Sequence, residues 1–395
     1  METAYRRHVL ALLGLASTAL AGCSALEGDD ESDLGVGDEA DEATDDEQSR
    51  DEDGASDEDD DSAEDDGSQD ALSAGGPPTY AGALPDRSAY GTEVFESDLV
   101  GKDTFVVAID LETVRGAVDD DPGEGTAPAD PLLTNAVAAI SLGVFGMFAL
   151  GASPVGGVHA DAEQPAEGTP TLCYLDGAYV FVGSYDLEMA RSELEAAGYD
   201  DVSPDADRAI FTDQASSEVV GVTEAAFVYA SGSTAGGDAE AREAVVAAIT
   251  DASAEADLAL GESGGPIERA LDSTPETGIT TLLAGGGDQL RDLEETESTA
   301  DPENDVAFDL APFEGALAVT QTVGGESSEI GDGDGGEGAG GGDTARAVGY
   351  YEDVDSVDIQ GLEETLDQGD AESMLLETRG DAVLVRASYG SDVAD

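Results

Sequence analysis

Apolar residues divide the chain into three regions of different pattern. An apolar run follows Arg6 and Arg7 and ends at Leu20-Ala21-Gly22-Cys23. Apolar residues are then nearly absent to about Pro78, and from Tyr80 they return in short runs with strand or helix spacing. The pattern predicts a signal peptide over 1–22, a linker over 23–78 and a folded body from 79 onward.

Within the body, short apolar runs alternate with turn residues and helix caps. The runs 171–175 and 179–182 flank Asp176-Gly177, which predicts a β-hairpin. A helix is predicted over 187–197, with Gly198 as its stop. Further strands are predicted over 104–109, 208–212, 218–223, 225–230, 316–323, 345–351, 374–378 and 382–387. Further helices are predicted over 239–259, 267–271, 290–296 and 362–366. Hairpins mixed with single helices predict an α+β fold with mixed or antiparallel sheets.

The body also carries the trace of an internal repeat. Six residues from Phe105 to Arg115 match six from Phe181 to Arg191 at one offset, which predicts equivalent helix caps at Asp110 and Asp186. Phe308-Asp309-Leu310 and Val357-Asp358-Ile359 are weaker echoes. Favourable helix-start chemistry alone is the alternative explanation. With about 310 residues in the body, we expect two related subdomains, 79–235 and 236–395, the second with a Gly/Asp-rich loop over 324–343.

An uncharged run over 132–158 is long enough to cross a bilayer. Its larger apolar residues, among them Leu133, Val137, Ile140, Val144 and Met147, are spaced as one stripe of a helix. Acidic flanks are unusual for a spanning segment. The run therefore favours a buried helix on a sheet, with a membrane-associated helix as the alternative.

The first 23 residues resemble an export signal. A short basic region, an apolar stretch and small residues before Cys23 resemble a lipoprotein signal with a lipobox, which implies a lipid on the Cys23 thiol. The arginine pair resembles a twin-arginine signal, although Val9 and Ala11 depart from that pattern.

The charge balance of the chain indicates a salt-rich solvent. There are 91 acidic residues against 14 basic ones, for a net charge of -77. In about 1 M salt the Debye length falls to ~3 Å, so such self-repulsion becomes tolerable. The acidic, Lys-poor composition and the signal together resemble uncharacterised surface lipoproteins of haloarchaea, with no assigned activity. Nucleic acid is excluded as a partner, because phosphate binding needs clustered Lys and Arg. The linker, almost free of apolar residues, is expected to be a disordered stalk.

Few residues could carry chemistry. Beyond the signal there is one histidine, His159, which excludes a multi-His metal site, and one further cysteine, Cys173, interpreted as a small buried hydrophobe. The acidic stretch at 332–337 lacks the spacing of a calcium loop. Arg379-Gly380-Asp381 is interpreted as hairpin-turn chemistry. We expect no metal and no cofactor.

One motif points to nucleophilic catalysis. Gly261-Glu262-Ser263-Gly264-Gly265 resembles the nucleophile loop of chymotrypsin-like proteases and the elbow of α/β hydrolases, with His159 as the available base. The predicted context differs from both, because helices flank the motif where a strand or a barrel is required. The favoured interpretation is a helix–helix loop, and Ser263 and His159 remain weak catalytic candidates.

Three functions follow as hypotheses. The first is a lipid-anchored, non-enzymatic binding or interaction module on the outer face of a halophile's membrane, with an unidentified protein or solute ligand. The second is the solute-binding lipoprotein of an importer, which a deep cleft between two lobes would favour. The third is a serine hydrolase that uses Ser263 and His159.

Replacing Cys23 by serine should release the protein from membranes. A double-chain lipid gives stable attachment, whereas the acidic linker has no attraction to anionic lipid. Fractionation of cells followed by a carbonate wash measures this directly. Retention of the variant in the washed membranes would contradict the lipobox, or would place the 132–158 run in the bilayer.

Overall fold

One large antiparallel sheet organises the described part of the chain. The computed structural model describes residues 76–86, 90, 103–111, 130–165, 170–203, 205–213, 215, 217–232, 238–255, 259, 265–285, 308, 310–324, 344–366 and 371–389. Within these residues, twelve strands form a sheet in the order β13-β14-β12-β11-β10-β1-β3-β4-β9-β8-β7-β6. Helices pack on it, so the predicted α+β class is confirmed.

The strands are numbered in chain order. They are β1 (Thr104–Asp110), β2 (Glu163–Gln164), β3 (Thr171–Leu175), β4 (Ala178–Val182), β5 (Ser184–Tyr185), β6 (Asp200–Asp201), β7 (Arg208–Asp213), β8 (Glu218–Thr223), β9 (Ala226–Ala230), β10 (Ile279–Ala284), β11 (Ala318–Val323), β12 (Thr344–Tyr350), β13 (Ala371–Arg379) and β14 (Ala382–Tyr389). Strands β2 and β5 form a separate small ribbon.

The helices are numbered in the same way. They are α1 (Pro131–Ala152), α2 (Val155–Ala162), α3 (Leu187–Ala197), α4 (Ala239–Ala254), α5 (Pro266–Asp272) and α6 (Ile359–Leu366). The described 3-10 turns are Thr79–Ala83, Ala311–Phe313 and Val354–Ser356. The helix predicted over 290–296 and the loop over 324–343 lie almost wholly outside the described residues.

The sheet consists of two halves whose inner strands follow the same order. From its centre outward, one half reads β1, β3, β4, β9, β8, β7, β6 and the other reads β10, β11, β12, β14, β13. The helix α3 leads to the four strands β6 to β9, and β9 returns beside β4, whereas α6 leads to the two strands β13 and β14, and β14 returns beside β12. Because the central strands β1 and β10 are antiparallel neighbours, the two halves are related by a two-fold arrangement.

This topology corrects the pairing of the predicted repeat. Asp110 is the last residue of β1, where its backbone N–H donates to Gly278 O at 2.9 Å, and Leu111 directly after it is helical, as predicted. The counterpart of β1 is β10, whereas β4 corresponds to β12. Asp186 is the predicted cap, accepting from Met189 N at 2.9 Å. Its true equivalent is Asp358, which accepts from Gly361 N at 3.0 Å at the start of α6.

The two halves meet at β1 and β10, which pair over six residues from Thr104↔Ala284 to Ile109↔Ile279. Both strands are flanked by neighbours on either side and are almost wholly buried. β10 was not predicted from the sequence. The helix α4 follows the predicted boundary at residue 235, yet it packs on β7, β8 and β9 of the first half.

Helices cover both faces of the sheet. We call the face under α1, α2, α3 and α6 the first face, and the face under Thr79–Ala83, α4 and α5 the second face. Alternation along β1 shows the division, because Val107 and Ile109 join the core of the first face, whereas Val106 and Ala108 join that of the second. The body thus has three layers around one sheet.

The predicted hairpin and helix signals are confirmed. Asp176 (φ 49°) and Gly177 (φ 83°) both have left-handed backbones, as a tight two-residue turn between β3 and β4 requires. Gly198 (φ 95°) ends α3, and Pro266 opens α5.

The uncharged run forms α1, which lies across the middle strands of the first face. Asp130 caps it by accepting from Leu132 N at 2.8 Å, and the Tyr389 hydroxyl donates to the same carboxylate at 2.7 Å. A buried Asn135 amide donates to Gln321 of β11. These polar contacts fix α1 to the sheet at its N-terminal end.

The buried side of α1 differs from the predicted stripe. Of the five larger residues in that stripe only Val144 is buried, and the remaining four are partly exposed. The buried side combines Leu132, Leu142 and Leu150 with many small residues, and the small residues let the helix approach the sheet closely. Its members include Ala136, Ala139, Gly143 and Gly146. A Cβ at Gly143 would overlap Ile109, and one at Gly146 would overlap the ring of Tyr179.

Replacing Gly146 by alanine should therefore destabilise the fold. The added methyl meets the fully buried Tyr179 ring, and overpacking of this kind costs typically 1–3 kcal/mol. A methyl added at Gly151 of the same helix would meet no atom within 4 Å, so Gly151→Ala is the matched control and should stabilise by up to about 1 kcal/mol. Urea unfolding in molar salt measures both. Equal effects of the two substitutions would contradict the close packing of α1.

Candidate functional site

The outward side of α1 is the most unusual surface of the described residues. The helix contains no charged residue along its whole length, in a chain of net charge -77. Phe148 is 63% exposed and Phe145 is 43% exposed, one helical turn apart. Gly151 and Ala152 continue the exposed stripe at the C-terminal end of the helix. We call this stripe, residues 145, 148, 151 and 152, the α1 outer face.

Acidic helices lie to either side of the α1 outer face. α1 covers the middle strands β12, β11, β10, β1 and β3, whereas α3 packs on β7 and β8 and α6 packs over the other end of the sheet. The exposed acidic residues of these flanking helices are Glu188, Glu193, Glu195, Glu363 and Glu364. On this face of the sheet, the uncharged α1 thus lies between two acidic helices, with α2 between α1 and α3.

By length and composition, α1 is apolar enough to span a membrane, and it is the one such helix among the described residues. Half of its most apolar stretch is buried inside the protein. Core helices of soluble proteins meet the same criterion. Its contacts with five strands agree with the predicted helix packed on a sheet.

His159, the predicted catalytic base, lies in an aromatic cluster beneath α2. Its ring centroid lies 4.6 Å from that of Phe181 and 5.1 Å from that of Phe227. Its Nε2 atom is 3.1 Å from the Tyr185 hydroxyl. Burial lowers the pKa of His159 from 6.5 to about 4, so the ring is neutral at physiological pH. This environment is that of a packed side chain.

Ser263, the predicted nucleophile, lies outside the described residues. The described residue that follows most closely, Gly265, caps α5 on the second face of the sheet. His159 lies on the first face, within the cluster that contains Phe181 and Phe227. The structure therefore does not bring the base and the described end of the motif together, and helices flank the motif as predicted.

The buried carboxylate of Glu218 is the centre of a hydrogen-bonded cluster on the first face. Glu218 opens β8 and accepts hydrogen bonds from the hydroxyls of Tyr199 and Tyr229, the latter at 2.8 Å. Burial, and then the bond to Glu218, raise the pKa of both phenols. Because Tyr199 directly follows the stop of α3, this cluster ties the end of that helix to the sheet. Sequence reasoning missed it, since the three residues are far apart along the chain.

A cavity of about 650 Å³ lies between β7, β8 and the first turns of α4. Its lining includes Asp213, Glu218, Glu240 and Glu243 together with small apolar residues. Within the described part of the chain, no group of three or more potential ligands has the geometry of a metal site.

The remaining predicted residues have structural surroundings. Gly380 (φ 59°) and Asp381 form the tight turn between β13 and β14, so the predicted turn chemistry is confirmed. Arg379 pairs with Glu377 at 2.7 Å, and Asp381 pairs with Arg269. Cys173 is fully buried, and burial raises the pKa of its thiol. Cys23 lies outside the described residues.

Comparison with known proteins gives little guidance. No protein-family model matches the chain, and no curated protein matches it. Among solved structures, crystal forms I and III of a protein named TP0453 match with TM-scores of 0.32 and 0.31 at 8% identity. The matches cover 73% of this chain and 90% and 91% of the respective TP0453 chains. Likenesses of this size carry no argument about fold or function.

The partly buried position of His159 among aromatic rings predicts a pH dependence of stability. Its folded pKa of about 4 lies below the 6.5 of an exposed histidine, so the unfolded chain binds more protons between these values. The stabilisation that comes from keeping His159 neutral is complete above pH 6.5 and is lost as the pH falls towards 4. The full difference is on the order of 3 kcal/mol.

His159→Gln isolates this contribution, because it keeps a polar partner for Tyr185 and removes the histidine titration. Unfolding free energies of both proteins, measured in urea from pH 7.5 to 4 in molar salt, should converge as the pH falls. A constant difference over this range would contradict the buried, neutral state of His159.

Proposed function

We propose that this chain is a non-enzymatic binding module, held by a lipid on Cys23 at the outer face of a halophile's cell membrane. In this proposal the α1 outer face binds a protein partner. The observation that carries it is the exposure of two phenylalanine rings on an uncharged helix of a strongly acidic protein. Contiguous exposed apolar surface of this kind is typical of interaction sites.

The energy available from this surface is sufficient for recognition. Phe145 and Phe148 expose 43% and 63% of their surface, on the order of 200 Å² together. Burying that area contributes roughly 5 kcal/mol before the costs of association are subtracted. Aromatic residues of this kind act as interface anchors.

The acidic helices on the same face of the sheet define the chemistry of the partner. Glu188, Glu193 and Glu195 are exposed on α3, beyond α2, and Glu363 and Glu364 are exposed on α6, toward the other end of the sheet. A second copy of this chain would bring like charges together, which costs several kcal/mol. An anionic lipid surface would meet the same repulsion. We therefore assign the α1 outer face to a protein that offers an apolar groove with a basic or neutral rim.

The proposed anchor is compatible with this role. Residues 24–75 separate Cys23 from the first described residue, Gly76. A segment of about 50 residues reaches roughly 40 Å as a flexible coil and roughly 170 Å when fully extended. Self-repulsion among its 24 acidic residues, counted from Glu27 to Asp70, favours the longer distances. The body can therefore meet a partner well away from the lipid.

The two other hypotheses find less support. A solute receptor of the two-lobed type needs a cleft between its halves, whereas here β1 and β10 join the halves in one sheet. The acidic cavity beside α4 lies within one half. A hydrolase needs Ser263 beside His159, and the described flank of the motif lies on the opposite face of the sheet.

Thiol labelling can test the α1 outer face directly. Because Cys173 is buried and Cys23 is expected to carry lipid, Phe148→Cys should add the one reactive thiol. A membrane-impermeant maleimide should label this thiol rapidly in purified full chain in molar salt, and several-fold more slowly on intact cells. Glu195→Cys on the exposed side of α3 is the matched control and should react equally in both settings.

Three outcomes would overturn the proposal. Equal labelling of position 148 on cells and in purified protein would mean that nothing covers the face. Protection by vesicles of the cell's own lipids alone would assign the face to the membrane. Protection that appears on concentrating the purified protein would assign it to a second copy. Restored labelling on cells that also carry Phe145→Ser would support the proposal, because that change weakens the same interface.

A further inference from the structure

The two ends of the twelve-stranded sheet differ in length and charge. At one end, β6 consists of Asp200 and Asp201 alone. At the other end, β13 has nine residues, and among the described strands it pairs with β14 only. A short, charged edge strand resists pairing with another chain, whereas a long edge strand offers a row of unpaired backbone groups. β6 is therefore a protected edge, and β13 is an edge that can accept a further strand.

Alternate residues of β13 direct their backbone groups away from β14. The Tyr351 N–H donates to Asp381 O, so the backbone groups of Asp381 and of every second residue after it lie on the β12 side. The residues between them bond to β13, and one of their partners there is Leu375. The N–H and C=O groups of its neighbours, Met374 and Leu376, therefore point to the outer edge.

The middle of this edge is apolar. Met374, Leu375 and Leu376 are consecutive, and Leu375 is 47% exposed. Met374 and Leu376 pack partly against the core of the first face, so Leu375 lies on the second face. The charged residues of the strand lie towards its ends, at Glu372, Glu377 and Arg379.

The charges near this edge are balanced, unlike those of the chain as a whole. β13 and β14 together contain two glutamates and two arginines. Glu377 pairs with Arg379 at 2.7 Å, and the turn residue Asp381 pairs with Arg269. The repulsion between two copies that the acidic helices would cause is therefore weak at this edge. Molar salt screens what remains beyond about 3 Å.

We propose that β13 is a homodimer interface, at which two copies of this chain pair their β13 strands in antiparallel orientation. Leu375 lies opposite the partner's Leu375, on the two-fold axis of the pair. Met374 lies opposite the partner's Leu376, so the outward backbone groups of these residues form about four hydrogen bonds. The sheet of one copy continues into that of the next, as in other cases of strand addition.

The charges and the shape of β13 select this register. It places Glu377 opposite the partner's Ser373, and the two Leu375 side chains against each other. A register centred on Leu376 would bring the two Glu377 side chains to diagonal positions, where like charges repel. A register centred on Met374 would reach the β-bulge at the start of β13 sooner and would shorten the regular pairing.

The contact is small and leaves other surfaces free. Pairing of two edge strands buries less than the roughly 1,200 Å² of a standard interface. We therefore expect a weak dimer, with a Kd on the order of tens of micromolar. Because α1 lies across the strands from β12 to β3, the pairing leaves the α1 outer face open.

Sedimentation velocity of the full chain in molar potassium chloride, over concentrations that span the expected Kd, tests the dimer. Every protein carries Cys23→Ser, so that buried Cys173 is the one native thiol. Leu375→Glu should weaken association by about tenfold or more, because it places two carboxylates opposite each other. It should not lower the Tm, since Arg386 lies opposite the new carboxylate on β14. Val202→Glu is the matched control, because Val202 is 44% exposed directly after β6, and it should leave the dimer unchanged.

Cysteine cross-linking tests the register. Leu375→Cys places two thiols on the axis of the pair, where Cα atoms about 4.5 Å apart are within the range of a disulfide. Diamide, which takes up the two thiol hydrogens, should therefore link the two copies. Thr378→Cys is the control on the same strand. Its position lies opposite the partner's Glu372, so the two new thiols are about 20 Å apart and should not be linked.

The dimer is refuted by any of four results. The first is a parent chain that stays monomeric over the whole concentration series. The second is a Leu375→Glu chain that associates as strongly as Val202→Glu, which would place the contact elsewhere. The third is cross-linking of Leu375→Cys that is absent or no faster than that of Thr378→Cys. The fourth is slow maleimide labelling of Leu375→Cys in dilute protein, which would mean that another segment of the same chain covers the edge.

Discussion

The pairing of β1 with β10 is the contact on which the rest of this fold depends. Six residue pairs join two halves whose inner strands follow the same order into one sheet, so neither half presents a free edge at the centre. Side chains of the two strands reach both faces, where Val107 lies under α1 and Leu282 lies in the core of the second face. The continuous sheet provides the flat support across which α1 can lie.

The distribution of small and large residues along α1 follows from its packing on this sheet. A helix that crosses five strands must approach them closely, and small residues such as Gly143 and Gly146 permit this approach. Leu132, Leu142 and Leu150 are buried beside these small residues, whereas other large apolar residues lie at the sides and on the surface. The same close packing that stabilises the helix therefore leaves Phe145 and Phe148 outward. In an acidic protein this surface differs sharply from its surroundings, which makes it suitable for selective binding.

Local signals in the sequence predicted much of the fold. Asp176-Gly177 specified a hairpin, and Gly198 and Asp186 specified the ends of α3, because each acts through its own backbone geometry. β10 escaped prediction because Ile279-Thr280-Thr281-Leu282 alternates poorly, with two adjacent threonines. The Thr280 hydroxyl lies 2.9 Å from that of Thr322, a partner 42 positions away.

The candidate sites also depend on contacts between residues that are far apart in the sequence. A uniformly apolar helix has no polar side, so the sequence could not show which side of α1 meets the sheet. The Glu218 cluster depends on strand order, which distant pairings decide. Ser263 and His159 were found by motif alone, and a motif of five residues contains no information about which face of a sheet its neighbours occupy.

Native-state hydrogen exchange in molar salt tests most directly whether the two halves are one unit. The continuous sheet predicts that amides in β1 and β10 exchange through global unfolding, and that the best protected amides of β8 and β12 share the same free energy. A lower free energy for all of β10 to β14 than for β1 to β9 would show that the halves open separately. That result would contradict the account of a single supporting sheet and would favour a two-lobed solute receptor over the binding module.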